Sequence, residues 1–283
     1  MPNLQVLVDN LNDQYLAQIN NKTLAYKKVN KAYEPELLSQ WDTVKVKYFN
    51  KVTLNTVSTS WETIAISDWN EQSDDLVVDQ VRNFWVKIKD IEKIRSNTNL
   101  QTAQTELISD ASMQDLDKFT LATAIAGAGT VLTSATPSTE SKTTIFDSIE
   151  DMRVVLSEAG LPTGQDLFVP PKIASLLRRS TKYDAVPEWL TIRQKASYIC
   201  QMSGFTIYES NNIPTADAWV NTYMVAFDDN SVHGAEQMNK FKVEDTWTGA
   251  MASKLLFEDV YGMNVLWLNS ARIVAKKITV AVA

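Results

Sequence analysis

The chain has 283 residues, 45% hydrophobic and 22% charged, with a formal net charge of -7. This composition supports one large core or two smaller ones, and the acidic balance argues against a sequence-general nucleic-acid binder, which would present a basic face or stripe. A single cysteine, Cys200, excludes an internal disulfide framework and a cysteine-rich zinc site.

The start, Met-Pro-Asn-Leu-Gln-Val, has neither the basic region nor the long apolar core of a signal peptide. The longest weakly polar run, Leu121 to Thr136, is too short and too rich in Thr, Ser and Gly to cross a bilayer. The expectation is a soluble, intracellular protein with no membrane partner.

Residues 1 to about 40 are polar, and Leu11, Tyr15, Ile19 and Tyr26 recur at sparse helical spacing. This predicts an extended or partly helical arm, with a disordered tail as the alternative. It holds the one dense basic cluster, Lys27-Lys28-x-x-Lys31. From residue 43 the pattern changes. Val44, Val46 and Tyr48 alternate with Lys45 and Lys47, and beyond Phe49-Asn50-Lys51 the alternation resumes at Val52 and Leu54. That is a β-hairpin signature, followed by a second β-rich piece from Trp61 to Ile66. A lone two-stranded ribbon is marginal in water, so it must lie on the body of this chain or on a neighbour. The acidic start of Leu76 to Ile94 gives way to a strand at Phe84 to Lys89.

A long helix follows, about Asn99 to Ala126, roughly 40 Å at the standard rise. Its expected apolar stripe is Leu100, Ala103, Leu107 and Ala111, then Leu116, Phe119, Ala122 and Ala126. Gly127-Ala-Gly129 ends it, and a Thr/Ser-rich link runs to Lys142. In the second helix, Ile145, Ile149, Met152, Leu156 and Ala159 step by four and three. Thr143 or Thr144 is the expected cap, and Gly160 and Pro162 the stop. Leu167-Phe168-Val169 reads as a short buried strand. Pro171 suits the first turn of a short helix that ends at Arg178-Arg179-Ser180. Trp189, Ile192, Tyr198 and Ile199 are core or interface candidates in a weakly patterned stretch. Phe205 to Glu209 and Tyr223 to Phe227 read as strands, linked through Asn211-Asn212-Ile213-Pro214. Ser231 to Asn239 fits a helix or a loop. Lys240 to Glu244, Leu255 to Val260 and Ile273 to Val280 read as strands.

No residue stands out as a catalyst, and no cofactor or metal site is assigned. His233, the only histidine, falls in a polar turn, where a lone His is structural or solvated. Cys200 reads as a small buried apolar residue. The paired carboxylates Asp74-Asp75, Asp228-Asp229 and Glu258-Asp259 point to opposite faces of a strand. The Asp228 loop lacks the spaced acidic pattern of a hand-type calcium site. Gly127-Ala-Gly129 follows a helix and lacks the third glycine of a dinucleotide loop. Aromatic residues are enriched at interfaces, and Trp41, Trp61, Trp69 and Trp85 lie in or beside the ribbon; core packing is the competing explanation.

Two short motifs and the order of the elements carry a resemblance. Gly204-Phe-Thr-Ile-Tyr-Glu-Ser-Asn-Asn-Ile-Pro214 resembles the segment through the axial domain of tailed-bacteriophage major capsid proteins with the Hong Kong 97 fold. Phe257-Glu-Asp-Val-Tyr-Gly-Met-Asn-Val265 is similar to that family's closing strand-turn-strand, with Gly262 expected to supply a positive φ. Asp79-Gln80, the strand to Lys89-Asp90-Ile91-Glu92, the long helix and Val169-Pro-Pro-Lys172 stand in family order.

The resemblance implies an α+β Hong Kong 97-type fold in five parts. These are an N-terminal arm (1–40), an extended β-hairpin loop (41–75), a peripheral domain with its spine helix at about 99–127 (76–165), an axial domain (166–245) and a return to the peripheral sheet (246–283). It implies a major capsid protein, not an enzyme, that self-assembles into an icosahedral shell around double-stranded DNA. The implied partners are its own copies in pentamers and hexamers, a separate scaffolding protein, a portal, and packaged DNA bound without sequence specificity. Assembly would take place in the bacterial host's cytoplasm. The expected assembly-interface residues are Lys45, Lys47, Tyr48, Phe49, Lys51 and Trp61, and no lysine-to-asparagine crosslink is expected. The alternatives are an encapsulin-type nanocompartment shell, another phage structural protein such as a tail component, and a cytosolic enzyme.

Overall fold

The computed structural model describes residues 23–34, 42–49, 71–89, 98–132, 139–141, 143–161, 164–180, 198–216, 221–245 and 252–280. A 3-10 turn at Tyr26–Lys28 comes first, then strands β1 (Thr43–Phe49), β2 (Glu71–Val77) and β3 (Gln80–Lys89). The long helix α1 (Thr98–Ala126) leads to short strands β4 (Thr130–Leu132) and β5 (Thr139–Glu140). Helix α2 (Ile145–Glu158), β6 (Gln165–Val169) and helix α3 (Pro171–Arg178) follow. Then come β7 (Tyr198–Met202), β8 (Phe205–Glu209), β9 (Thr215–Ala216) and β10 (Asn221–Phe227). The chain closes with β11 (His233–Asp245), β12 (Ala252–Asn264), helix α4 (Trp267–Ser270) and β13 (Val274–Val280).

An eight-stranded sheet forms the centre, ordered β4-β13-β10-β6-β8-β7, with β5 also on β13 and β9 on β10. Period-two alternation along its strands supplies two cores. Phe168, Val225, Phe227 and Ala275 face α1. Leu167, Val169, Met224, Ala226 and Val274 face α2 and α3. A sheet covered on both sides needs apolar residues at successive positions, which is why Leu-Phe-Val and Met-Val-Ala-Phe read as unbroken runs. Burying each such large side chain is worth about 1.5–3 kcal/mol. A three-stranded antiparallel sheet, β11-β12-β3, packs against α1 through Phe257, Tyr261 and Met263.

Several expectations hold in detail. Helix α2 buries Ile145, Ile149, Met152 and Leu156, although Ala159 is exposed. It ends in a Schellman motif: Gly160, at φ +75°, donates to the Ser157 carbonyl, and Leu161 donates to that of Leu156. Pro171 opens α3 at its first turn. Strand β7, in a stretch that carries no clear pattern in the sequence, turns into β8 through Ser203 and Gly204, both at positive φ.

Others are corrected. Strand β1 pairs with the distant β2, from Thr43↔Val77 to Phe49↔Glu71, a partner the sequence did not indicate; the expected continuation at Val52 and Leu54 lies outside the described residues. Helix α1 has the expected extent, and its expected stripe holds only in part. Leu116 is buried and Phe119 packs against the core as expected. Leu107, Ala111, Ala122 and Ala126 are instead exposed, the side chains of Leu100 and Ala103 lie outside the described residues, and Ile108, Met113, Leu121 and Ala124 complete the buried face beside the polar Ser109, Asp117 and Thr120. Those polar residues hide the stripe in the sequence; the Thr120 hydroxyl satisfies itself on the Leu116 carbonyl at 2.8 Å. Thr144 stands at the N-cap of α2, but its hydroxyl accepts from the Ser141 N–H instead of capping the helix. Only Ser231 and Val232 of the Ser231 to Asn239 stretch are loop; β11 begins at His233. The Thr/Ser-rich link contains β4 and β5, both parallel to β13.

Gly262 makes no turn. Strand β12 runs straight through it, and its φ is not positive. Any Cβ there would fall 2.1 Å from the Val77 carbonyl oxygen and 2.7 Å from the Val78 Cα, so glycine lets the β2–β3 link cross the strand. The closing stretch also divides: β12 pairs with β3, while β13 joins the large sheet beside β10.

Candidate assembly surface

The β1/β2 ribbon has two unlike faces, fixed by its register. Lys45 and Lys47 share one face with Asp75, directly opposite Lys45, and with Glu71, diagonal to Lys47. Lys47 Nζ reaches Glu71 Oε1 at 2.7 Å, and that hydrogen bond raises the Lys47 pKa. Both groups are well exposed, so the pair shapes the surface more than it stabilises the fold. The other face carries Val44, Val46 and Tyr48 over Leu76 and Asp74. Val46 and Leu76 are buried, and the Tyr48 hydroxyl donates to Asp74 Oδ1 at 3.5 Å. Leu76 and Val44 pack with Val78, Ala235, Val260 and Tyr33. The root of the ribbon is thus docked on the chain's own three-stranded sheet.

The expected interface residues are therefore only partly brought together. Lys45 and Lys47 line the outer face, and Tyr48 turns inward. Phe49 pairs with Glu71 through its backbone; its side chain lies outside the described residues, as do Lys51 and Trp61. Trp41 and Trp69 also lie outside them, as do the Trp85 side chain, Trp189 and Ile192.

Next to this sheet, α1, β3 and β12 border a groove of about 470 Å³. Its rim carries two apolar side chains, Phe84 at 47% and Leu107 at 70% exposure. At its floor, Asp115 Oδ2 accepts from the Tyr261 hydroxyl and from Arg82 Nε, each at 2.6 Å. Burial first, and then the Asp115 hydrogen bond, hold the Tyr261 phenol far above its usual pKa.

Sequence reasoning missed Asp117, which accepts four hydrogen bonds. It is buried on α1 and accepts the backbone N–H groups of Leu24, Ala25 and Tyr26 at 3.2, 3.1 and 3.0 Å, as well as the Asn212 side chain. Burial pushes its carboxyl above the usual range, and the hydrogen bonds pull it part of the way back. Asn212 belongs to the Asn211–Pro214 turn, which thus faces the spine helix. No spacing rule links residue 117 to residues 24–26, so no sequence signal was available.

Two of the three lysines of the basic cluster are engaged internally, while Lys27 is exposed. Lys28 Nζ pairs with Asp166 at 2.9 Å and Asp229 at 3.3 Å, and Lys31 lies 4.3 Å over the Tyr26 ring. His233 is buried at the start of β11, where the Asn269 amide lies 2.8 Å from its Nε2. An amide NH2 is a donor, so that nitrogen accepts and the ring is neutral. Burial lowers its pKa accordingly. Cys200 is buried and its thiol is pushed up to about 11, which leaves it inert. Among the described residues no cluster of His, Cys, Asp and Glu could hold a metal ion, and no helix is long and apolar enough to cross a membrane.

A two-face sheet with helices on both sides, a second small sheet and a projecting ribbon define an α+β fold of the Hong Kong 97 capsid type. The sequence profile of the phage capsid protein family matches residues 75–270, and the chain belongs to that family. A chain from Mycobacterium phage Che8 superimposes with a TM-score of 0.73 at 21% identity, over 90% of this chain and 91% of that one. The cyanophage Pam1 capsid gives 0.66 at 12% identity, over 90% and 89%. The mature capsid of bacteriophage PhiM1 gives 0.64 at 14%, over 86% and 83%. Comparison with curated protein sequences finds no match. The chain is accordingly a major capsid protein, a structural component of the virion whose copies form the phage head shell.

Proposed function

We propose that this subunit builds its shell through two kinds of contact. The axial domain (166–245) gathers copies into pentamers and hexamers, and the N-terminal arm (1–40) and extended loop (41–75) clamp neighbours in the peripheral layer. The domain division (76–165 peripheral, 246–283 returning) follows the same reading. The ribbon carries it best: its root is anchored on the chain's own sheet by Leu76 and Val44, while Lys45 and Lys47 stay on the outer face. Closed symmetry then sums many modest contacts into one stable shell. The subunit acts without catalysis. A separate scaffolding protein and a portal accompany assembly in the host cytoplasm. The DNA is enclosed without sequence-specific contacts, in keeping with a net charge of -7 and with Lys28 and Lys31 already engaged within the chain.

Replacing Lys45 and Lys47 with Gln tests the ribbon's part. Exposed substitutions of this kind change stability by about 0.5 kcal/mol or less. The thermal midpoint should stay near that of the parent while the yield of closed shells falls. An unchanged yield would take these lysines out of the interface.

A further inference from the structure

Residues 23–34 touch three separate parts of the fold. Asp117 on α1 holds the N–H groups of Leu24, Ala25 and Tyr26. Lys28 reaches Asp166 on β6 and Asp229 just beyond β10. Asn30 makes a short parallel bridge to β11: its N–H donates to the Val232 carbonyl at 2.8 Å, and its carbonyl accepts from the Gly234 N–H at 3.0 Å. The Tyr26 hydroxyl donates to Glu236 Oε2 at 2.6 Å. Gly234 is fitted to the segment as well, because a Cβ there would lie 2.8 Å from Val29 Cγ1.

Thr23, Ala25, Tyr26 and Val29 are buried and Leu24 and Tyr33 pack against the cores, while Lys27 and Ala32 are exposed and Lys28, Asn30, Lys31 and Glu34 are half-buried. The segment joins no strand ladder, since Asn30 makes a single isolated bridge, and its backbone is otherwise held by side-chain acceptors. A segment outside the sheet ladders opens locally at a lower free energy than the strands beneath it. Three of the polar attachments here share one carboxylate, so they are lost together. We infer that residues 23–34 form a latch, held shut by Asp117, that opens as a unit while the two sheets stay folded. Residues 1–22 lead directly into the latch. The latch binds its own chain, which separates it from the clamping of neighbours proposed above and makes it testable without a shell.

Native-state hydrogen exchange on the full-length chain, in rising denaturant below the unfolding transition, reads the opening directly. The amides of Ala25, Tyr26 and Asn30 should exchange with a shallower denaturant dependence than those of β6 and β10. Asp117→Ala strips three amides of a charged acceptor and should raise their exchange about tenfold or more. The amides of β6 and β10 should not change. Asp117→Asn keeps one acceptor oxygen and should fall between. If latch and sheet amides share one slope and one exchange free energy in the parent protein, the segment opens only with the whole fold and the latch is overturned. That comparison decides the matter even if Asp117→Ala does not fold. Unchanged latch exchange in folded Asp117→Asn and Asp117→Ala would overturn the role of Asp117.

Discussion

Gly262 shows how far a single residue's meaning depends on what passes over it. In sequence, a glycine after an aromatic reads as a turn. In the fold it is a crossing point, where the Val77–Val78 backbone lies too close for any side chain. Relief would require either β12 or the β2–β3 link to move, and neither is the free end of a flexible side chain. Gly262→Ala should therefore destabilise by about 2–3 kcal/mol, within the range of core overpacking, seen as a lowered thermal midpoint in calorimetry. A midpoint unchanged within error would mean that the link can shift freely. Both readings of the glycine fit the same tripeptide, because the approaching chain lies far away in sequence. Asp117 is the same kind of case. It sits on a helix among residues of mixed polarity, and only the arrival of Leu24, Ala25 and Tyr26 gives it a role.

At the scale of elements, local signals served well and long-range ones poorly. The Pro171 helix start and the Gly160 stop depend on neighbours within a turn, and both were legible. The ribbon was legible as β structure from Val44, Val46 and Tyr48, but its partner was not. Alternation states that a strand is half-buried without saying what covers it. The long helix had the right extent and only part of its buried face, Leu116 and Phe119, since Asp117 and Thr120 occupy buried positions that a polarity pattern assigns to solvent. The ribbon's root supplies a test of its intrachain docking. Leu76 is fully buried against Val78, Ala235 and Val260. Leu76→Ala should cost about 2–5 kcal/mol in chemical denaturation. A cost below about 1 kcal/mol would mean that the ribbon is held mainly by something other than this chain.

For the whole molecule, the family was legible before the fold, because element order and two short motifs survive where pairwise contacts do not show. Neither motif carries a reactive group, and the fold gives both a packing role: Asn212 meets Asp117 on the spine helix, and Gly262 lets the chain cross. Which surfaces meet in the shell was not legible, since apolar alternation looks the same against one's own sheet and against a neighbour's. The central claim is that copies of this chain close into an icosahedral shell. Electron microscopy of the purified chain, expressed alone and together with any scaffolding protein encoded beside it, is the decisive measurement. Closed icosahedral particles of uniform diameter are expected. Monomers alone at high concentration, or open tubes, under both conditions would overturn it.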